Sequence, residues 1–393
     1  MQSAADGHSF ALRERGGHRA RLLGTVDEAY AQMQRLIDAA VSSIRFECYI
    51  VRAEGPAAAL RAALLRARSR GVSVDVLLDA FGCEDLPADY FSELEAAGGR
   101  VRRFNPLRLL RLSFRNHRKL LACDGCAAVV GGFNIGPEYS GDGVTGGWCD
   151  LGMFIEGPVV RELEDSFDAM VQLAPFTPAA IADFRLAASR WNQGARSADA
   201  APVQLLVSGP PLSRGRLRRQ LRVDLAAAKQ VAIVSGYFLP PWNVRRSLRR
   251  CVQQGGQVEL LLAGRSDVGL ARLAAERLYP WLLRQGVSIR EYRPRILHAK
   301  LLVMDDIVHT GSCNLDRRSL HINFELLLRL DWPELAGDAR QWCERAFARS
   351  RRVRLAAFRR RRGYWRRVAS RLAYELLAHV DPLVARRRFR ALG

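Results

Sequence analysis

The feature that most constrains the fold of this 393-residue chain is a long internal repeat, in which one order of predicted strands and helices occurs twice. The first half has predicted strands at 43–50, 72–78 and 101–104 and helices at 57–70 and 87–97. The second half has strands at 230–238, 257–262 and 288–292 and helices at 242–254 and 268–285. Such alternation is typical of mixed, mainly parallel sheets flanked by helices. We therefore predict an α/β fold of two tandem lobes with pseudo-two-fold symmetry.

Changes in composition predict five segments along the chain. A loosely ordered tail, the first lobe, a small polar linker, the second lobe and a basic amphipathic helical extension are expected, in that order, at 1–25, 26–190, 191–202, 203–335 and 336–393. No run is long and apolar enough for a membrane span, and the N-terminus has no apolar core of a signal peptide. A cytoplasmic protein is expected.

The two halves differ in one loop. Phe104 matches Tyr292, 188 positions later, whereas His117 matches His298, only 181 positions later. The first half therefore has seven extra residues at 105–116. This loop mixes leucines with Arg108, Arg111 and Arg115. It is either an ordinary packing segment or a lip that contacts lipid.

Two histidine–lysine motifs lie at equivalent points of the repeats: His117-x-Lys119 with Asp124, and His298-x-Lys300 with Asp305. On a strand, residues two apart share a face, so each histidine and lysine should project into the same space. The chain has only three lysines among 61 basic residues, and two of them stand in these motifs. That bias is expected if a compact ammonium group is needed to fit two cations against one phosphate.

Each half alone has only part of the groups that phosphodiester exchange requires. Without a metal, the reaction needs a nucleophile, cations for the phosphoryl oxygens and an acid for the leaving alcohol. Two imidazoles in different protonation states and two lysines can supply these groups. We therefore expect one site at the seam of the lobes, with neither metal nor cofactor.

With these motifs the chain resembles the phospholipase D superfamily, whose signature is HxKx4D followed by a GG/GS-x-x-N-type element. Both halves contain that element, as Gly131-Gly132-Phe133-Asn134 and Gly311-Ser312-Cys313-Asn314, and the resemblance covers about 24–330. Together with Glu138-Tyr139, Trp148-Cys149-Asp150 and Asn323-Phe324-Glu325, the elements are similar to those of bacterial cardiolipin synthases. The N-terminal spans of membrane-anchored members are missing, so the soluble type is the most similar.

The resemblance implies a role for each motif residue. His117 would be the nucleophile that forms a phosphatidyl-histidine intermediate, and His298 would protonate the leaving oxygen and later activate the incoming alcohol. The near-symmetry of the halves leaves the exchanged assignment open. The groups expected to bind the phosphoryl oxygens are Lys119, Lys300, Asn134 and Asn314.

Carboxylates are expected in two different roles. Asp150 and Glu325 follow the two asparagines at matching places, where each could hold the far nitrogen of an imidazole and fix its tautomer. Asp124 and Asp305 stand five residues after a lysine and should point to the opposite strand face, so a structural role is expected for them. Gly132 and Ser312 are likewise expected to be structural.

The net charge of +21 indicates an anionic partner. In the C-terminal extension, arginines interleave with aromatic residues, including Arg359, Arg360 and Trp365. This pattern suits an anionic phospholipid surface, although a solvated helix packed on the lobes remains an alternative. Nucleic acid is a less favoured partner because no known nucleic-acid module precedes the extension.

The resemblance and the charge lead to one function and two alternatives. The leading expectation is transfer of a phosphatidyl group from phosphatidylglycerol to a second phospholipid alcohol, by a protein peripheral on the inner face of the cell membrane. The first alternative is a hydrolase of phospholipid or DNA, since water can replace the alcohol. The second is a non-catalytic membrane-binding scaffold. The oligomeric state is left open.

Overall fold

The computed structural model describes residues 9–106, 113–194, 201–210 and 215–390, which form two lobes. Each lobe contains an eight-stranded sheet with strands in both directions and helices on its outer face. The predicted α/β architecture of two tandem lobes is therefore confirmed. Within the described residues, no helix has the length and apolar character needed to cross a membrane.

The first sheet has the strand order β1-β2-β8-β7-β6-β3-β4-β5. Its strands are β1 Arg13–Arg15, β2 His18–Leu23, β3 Ser43–Cys48, β4 Ser73–Asp79, β5 Arg100–Phe104, β6 Leu120–Cys123, β7 Ala127–Gly131 and β8 Gly152–Glu156. The helices of this half are α1 Val26–Ala39, α2 Pro56–Ser69, α3 Ser92–Ala96, α4 Val159–Leu173 and α5 Pro178–Gly194.

The second sheet has the order β18-β13-β12-β10-β14-β15-β17-β9, and β11 and β16 form a separate short pair. Its strands are β9 Val203–Ser208, β10 Gln230–Ser235, β12 Gln257–Ala263, β13 Ser288–Tyr292, β14 Lys300–Met304, β15 Ile307–Gly311, β17 Glu325–Asp331 and β18 Ser350–Arg352, and the short pair is β11 Phe238–Leu239 with β16 Leu315–Asp316. The helices are α6 Arg216–Ala227, α7 Trp242–Gln253, α8 Gly269–Glu276, α9 Tyr279–Arg284, α10 Arg317–His321 and α11 Pro333–Ala348.

Seven strands of each sheet follow the same order, from β2 to β5 in the first and from β9 to β13 in the second. In each sheet only three of these strands run parallel, β3-β4-β5 and β10-β12-β13, and the other described pairings within the two eight-stranded sheets are antiparallel. The parallel share is thus smaller than predicted. The cause is local, because a tight turn after each motif strand sends the chain straight back into a hairpin.

The two sheets pack face to face over a shared core. Alternate residues of the motif strands, Leu120 and Ala122 in β6 and Leu301 and Val303 in β14, belong to this core. The intervening residues Leu121 and Leu302 instead face the outer helices of their own lobes. This period of two is the strand pattern of a sheet buried on both sides, and it brings the starts of β6 and β14 to the seam.

Three predicted borders are wrong. Residues 18–23 form β2, which pairs with β8 inside the first sheet, so the segment after residue 8 is not a loose tail. The predicted linker begins inside α5, and the border at 335 cuts α11. Helix α11 follows β17 as α4 follows β8, so it belongs to the second lobe. Short strands and helix ends depend on contacts with distant segments, which composition does not show.

Helix α11 also fastens the lobes to each other. The indole N–H of Trp342 donates to the backbone oxygen of Gly24 (2.9 Å), and Asp338 accepts two hydrogen bonds from Arg13. The rest of the extension comprises α12 Leu355–Arg361, α13 Tyr364–Glu375, a π-helical turn Leu376–Val380 and α14 Asp381–Arg390. Its first part, up to the π-helical turn, packs on the second lobe, and α14 packs on the shared core.

Candidate active site

Backbone hydrogen bonds cross the seam at both histidine–lysine motifs. The His117 N–H donates to the carbonyl oxygen of Phe324 (2.9 Å), and the His298 N–H donates to that of Cys149 (2.8 Å). Each motif therefore enters its own sheet beside the segment of the other lobe that carries a carboxylate. Each motif depends on the opposite lobe for its position, and His117 lies close enough to Lys300 and His298 for their charges to lower its pKa.

His117 is held by Glu325 of the second lobe. Nδ1 of its ring donates to Glu325 Oε2 (3.0 Å), and the Ser312 hydroxyl donates to the same oxygen (2.6 Å). The ring of Tyr49 lies 4.9 Å from the imidazole, centre to centre. All three polar groups are buried, so the carboxylate fixes the tautomer of His117 and leaves Nε2 as the atom that can react.

His298 is held by Asp150 of the first lobe in the same crossed way. Nδ1 of its ring donates to Asp150 Oδ2 (2.6 Å), and the other oxygen of Asp150 accepts the backbone N–H of Leu151 (2.8 Å). A Cβ atom at Gly132 would lie 2.6 Å from Asp150 Oδ1 and 2.8 Å from Lys300 Cδ. Glycine is therefore required where the second lobe has Ser312, because the carboxylate and the lysine pack against its backbone.

The two lysine side chains differ in their contacts. Lys119 Nζ donates to the backbone oxygen of His117 (2.7 Å) and lies 5.0 Å from the centre of the Tyr49 ring. Lys300 Nζ lies 2.8 Å and 3.1 Å from the two ring nitrogens of His298 and donates to the backbone oxygen of that residue. Both ammonium groups are buried, and each contacts the histidine of its own motif, Lys119 at the backbone oxygen and Lys300 also at the ring.

Electrostatics separate the two histidine–carboxylate pairs. Burial raises the pKa of Glu325 to about 8, although Lys119 and Ser312 oppose the shift. Burial would also raise the pKa of Asp150, but Lys300 and His298 outweigh it and bring that pKa below its usual value. One pair therefore contains a carboxyl group that readily takes a proton, and the other contains an ionised carboxylate.

The histidines and lysines are all less basic than in water. Burial, and then Lys119 and Lys300, lower the pKa of His117 well below its ordinary value. Burial and Lys300 lower the pKa of His298 as well, but Asp150 opposes this shift. Burial and the neighbouring Lys300 lower the pKa of Lys119 to about 7. His117 is thus the histidine that stays neutral, and His298 has the partner that stabilises an imidazolium.

The two asparagines lie near the motifs but differ in their hydrogen bonds. Asn134 accepts the Ile50 N–H (3.1 Å) and donates to the Tyr139 hydroxyl (2.8 Å). Asn314 accepts the Tyr237 N–H (3.4 Å). Asn134 therefore fixes the loop after β3, and Asn314 fixes the loop after β10. Binding of a phosphoryl oxygen by these amides stays a prediction.

Asp124 and Asp305 lie at the far ends of the motif strands and have equivalent structural contacts. The Asp124 carboxylate accepts the backbone N–H groups of residues 41, 42 and 43, and Asp305 accepts those of Lys229 and Gln230. Both residues have a positive φ, 56° and 48°. They close the turn after the motif strand onto the start of the neighbouring strand and take no part in the reaction space.

Sequence reasoning gave no role to a group of aromatic side chains around His298. The ring centres of Trp148, Tyr139 and Tyr237 lie 5.3, 5.6 and 6.3 Å from that of the imidazole. The motif residues Glu138-Tyr139 and Trp148-Cys149-Asp150 are the signal that could have indicated them. These rings limit the access of water to the second histidine.

The residues predicted to contact a membrane fall into three groups. Arg108 and Arg111 lie outside the described residues. Arg115 is half-buried, with its guanidinium 4.0 Å from the centre of the Phe81 ring and donating to the Tyr49 hydroxyl (3.2 Å). It therefore lies beside the site of His117. Arg359, Arg360 and Trp365 are exposed on the C-terminal extension.

Comparison with known proteins adds independent evidence. The family described as "Cardiolipin synthase, PLD-like domain" matches residues 33–171 and 222–347, one segment in each lobe. Cardiolipin synthase B of Salmonella typhi is 30% identical over an alignment of 384 positions that covers 94% of this chain and 90% of that protein. A cardiolipin synthase of Geobacillus thermodenitrificans is 33% identical over 311 residues, 76% of this chain. The chain spans about 60% of the length of that relative and of similar long ones.

Solved structures show the same fold. Phosphatidylserine synthase from Haemophilus influenzae matches with a TM-score of 0.72 at 15% identity, over 96% of this chain and 97% of that chain. Polyphosphate kinase from Porphyromonas gingivalis matches with a TM-score of 0.53 over 83% of this chain. The double-lobed fold, the repeated motifs and the family match over both lobes agree. The chain therefore belongs to the cardiolipin synthase family of phospholipase D-like proteins.

Proposed function

We propose that this protein is a phosphatidyltransferase of the cardiolipin synthase type. It moves a phosphatidyl group from phosphatidylglycerol to the hydroxyl group of a second phospholipid and releases glycerol. The observation that carries the proposal is the crossed pair of histidines, each with one ring nitrogen bound by a carboxyl group of the opposite lobe. The names of the relatives support the lipid substrate.

In the first half of the reaction, Nε2 of His117 attacks the phosphorus atom of phosphatidylglycerol. The bond from phosphorus to the glycerol oxygen breaks, and the imidazolium of His298 gives its proton to that oxygen. The product is a phosphatidyl group on His117 and free glycerol. Lys119 and Lys300, each in contact with the histidine of its own motif, stabilise the charge on the phosphoryl oxygens.

In the second half, the neutral His298 takes the proton of the incoming alcohol. The resulting oxygen attacks phosphorus, the bond from phosphorus to His117 breaks, and cardiolipin leaves when the alcohol is a second phosphatidylglycerol. The aromatic group around His298 supports this outcome over hydrolysis, because it limits the water that could replace the lipid alcohol.

The difference between the pairs supports His117 as the nucleophile. A nucleophile must be neutral, and the pKa of His117 lies well below its ordinary value because of burial and two lysines. A general acid must hold its proton, and the ionised Asp150 favours the protonated form of His298. The arrangement therefore favours one of the two assignments that the motifs alone leave open.

Incubation of the purified protein with phosphatidylglycerol vesicles tests the proposal. We expect cardiolipin and glycerol in equal amounts, because each transfer releases one glycerol, and we expect the same yield in a chelator, because neither step uses a metal. Lipid products are separated by chromatography and glycerol is measured enzymatically. Phosphatidic acid as the main product would show a hydrolase instead, and vesicle binding with no turnover would show a scaffold.

The three lysines of the chain allow a matched test of the cation site. Lys119→Arg and Lys300→Arg should each lower kcat at least about 100-fold, because a planar guanidinium does not fit where a compact ammonium is buried in contact with the motif histidine. Lys229→Arg should keep wild-type kcat, because Lys229 is exposed at the start of β10. Full activity in either buried variant would exclude a role for that ammonium group.

A further inference from the structure

The C-terminal extension has an exposed apolar row that nothing in the described residues covers. From 364 to 390 the chain is one continuous helical rod, formed by α13, the π-helical turn and α14. The side chains of Trp365, Leu372, Leu376, Val380 and Leu383 are 79, 64, 45, 48 and 51% exposed. We call these five residues the apolar stripe. Exposed apolar side chains are ordinary singly, but a contiguous row of them indicates an interaction site.

The spacing of these residues puts them on one face of the rod. Successive members are separated by seven, four, four and three positions, which is the repeat of a single helical face. Small residues on the other side of the rod are buried: Ala373 and Ala378 pack in the core of the second lobe, Ala385 packs in the shared core, and Ser370 is also fully buried. The rod is therefore packed against the rest of the protein on one side, and the stripe is exposed on the other side.

Ion pairs fix the orientation of the rod. Arg366 makes two hydrogen bonds to the buried Glu276 of α8 (2.6 and 3.0 Å), and Asp381 accepts Arg318 of α10 (2.6 Å). The rod is thus anchored near both ends. Its apolar face cannot turn inward without breaking these contacts.

Exposed arginines lie on the same extension as the stripe, and one of them, Arg387, is four positions from Leu383 on the rod. Those of the extension that are exposed include Arg359, Arg360, Arg361, Arg367, Arg371 and Arg387. An exposed apolar row on an arginine-rich helical extension is the pattern of a segment that lies in the plane of a membrane interface. A second copy of the chain would bring its own arginines against these, so the charge pattern favours an anionic partner over self-association.

We propose that the apolar stripe is the surface by which this protein enters the interface of an anionic phospholipid bilayer. The inference rests on the proposed function, since a transferase of membrane lipids must reach them, and it names the element that does so. Leucine and tryptophan side chains enter the acyl boundary, and the exposed arginines of the extension bind the phosphate groups.

The position of the rod connects this surface to the active site. Phe389 packs against Phe114 with ring centres 5.5 Å apart, and Arg388 donates to the Ser113 hydroxyl (2.9 Å). The residues 113–116 lead directly into His117. Contact of the rod with the bilayer therefore sets the first motif at a fixed place relative to the lipid headgroups.

A triple variant, Trp365→Ser, Leu372→Ser and Leu376→Ser, tests the inference in the full-length protein. We expect its partition onto vesicles of phosphatidylglycerol and phosphatidylethanolamine to fall on the order of 100-fold in a sedimentation assay, because three inserted side chains are lost. The matched control, Leu12→Ser, Val41→Ser and Val223→Ser, changes three exposed apolar residues elsewhere and should bind as the wild type does. Circular dichroism and thermal unfolding check that both variants are folded.

Turnover is then measured in two forms of the substrate. On vesicles, the stripe variant should lose activity in parallel with binding, whereas on phosphatidylglycerol dispersed in detergent it should match the wild type. Vesicle binding of the stripe variant at the wild-type level would overturn the proposal. If that variant also changed from dimer to monomer, the stripe would instead be the contact with a second copy of the chain. Vesicle binding without any transfer by the wild type would refute the proposed function and leave the stripe as a membrane surface.

Discussion

With phosphatidyl-p-nitrophenol as the donor, the His298→Gln variant should release a first equivalent of p-nitrophenolate at nearly the wild-type rate, and His117→Gln should release none. This leaving group departs without a proton, so the first step needs the nucleophile but not the acid. Steady turnover should fall about 10³- to 10⁴-fold in His298→Gln, because the incoming alcohol still needs a base. The burst is followed in a stopped-flow spectrophotometer.

The same experiment decides the assignment of the two histidines. A burst in His117→Gln and none in His298→Gln would exchange their roles, and a burst in both would mean that neither ring is the nucleophile. Peptide mapping of the quenched His298→Gln protein should show the phosphatidyl group on residue 117. Phosphatidylglycerol gives the internal control, because glycerol must receive a proton as it leaves. With this donor both His117→Gln and His298→Gln should fail in the first step.

The parts of the site that sequence predicts are those that lie on one motif. Equal spacing of His117 with Lys119 and of His298 with Lys300 indicates a shared reaction space, and the structure shows all four side chains buried at the seam. Position relative to the asparagines also indicated that Asp150 and Glu325 orient the imidazoles. The sequence does not show that each carboxyl group serves the histidine of the opposite lobe, because that depends on how the two sheets pack.

The errors in the fold have the same origin. Strand β2 is short and carries arginines at alternate positions, so its sequence resembles a polar tail until β8 is placed beside it. The strands after each motif have no helical connection, so they return as hairpins and reduce the parallel part of the sheet. Pairing between distant segments is set by tertiary contacts that local propensity does not contain.

A charged cluster distinguishes the core of the first lobe from that of the second. Arg118, between the motif histidine and lysine, is buried and lies 3.1 Å from the buried Glu47 of β3. Asn116 donates to the other oxygen of Glu47 (2.6 Å). The equivalent positions of the second lobe, given by the pairing of the motif strands with β3 and β10, hold Val234 and Ala299. The fold therefore does not require charges there.

Arg118→Met alone should destabilise the protein by about 3–5 kcal/mol, because it leaves Glu47 charged and unpaired in the core. Glu47→Leu alone should destabilise the protein by a similar amount, because it leaves the positive charge of Arg118 unpaired in the core. The double variant should recover most of the loss and lie within about 2 kcal/mol of the wild type, since an apolar pair of similar volume needs no solvation and only the Asn116 amide and the Ser166 backbone oxygen lose a hydrogen-bond partner. Urea unfolding followed by fluorescence measures the three values. If the losses in the two single variants simply add in the double variant, Arg118 and Glu47 are not coupled and the pair does not stabilise the start of the motif strand.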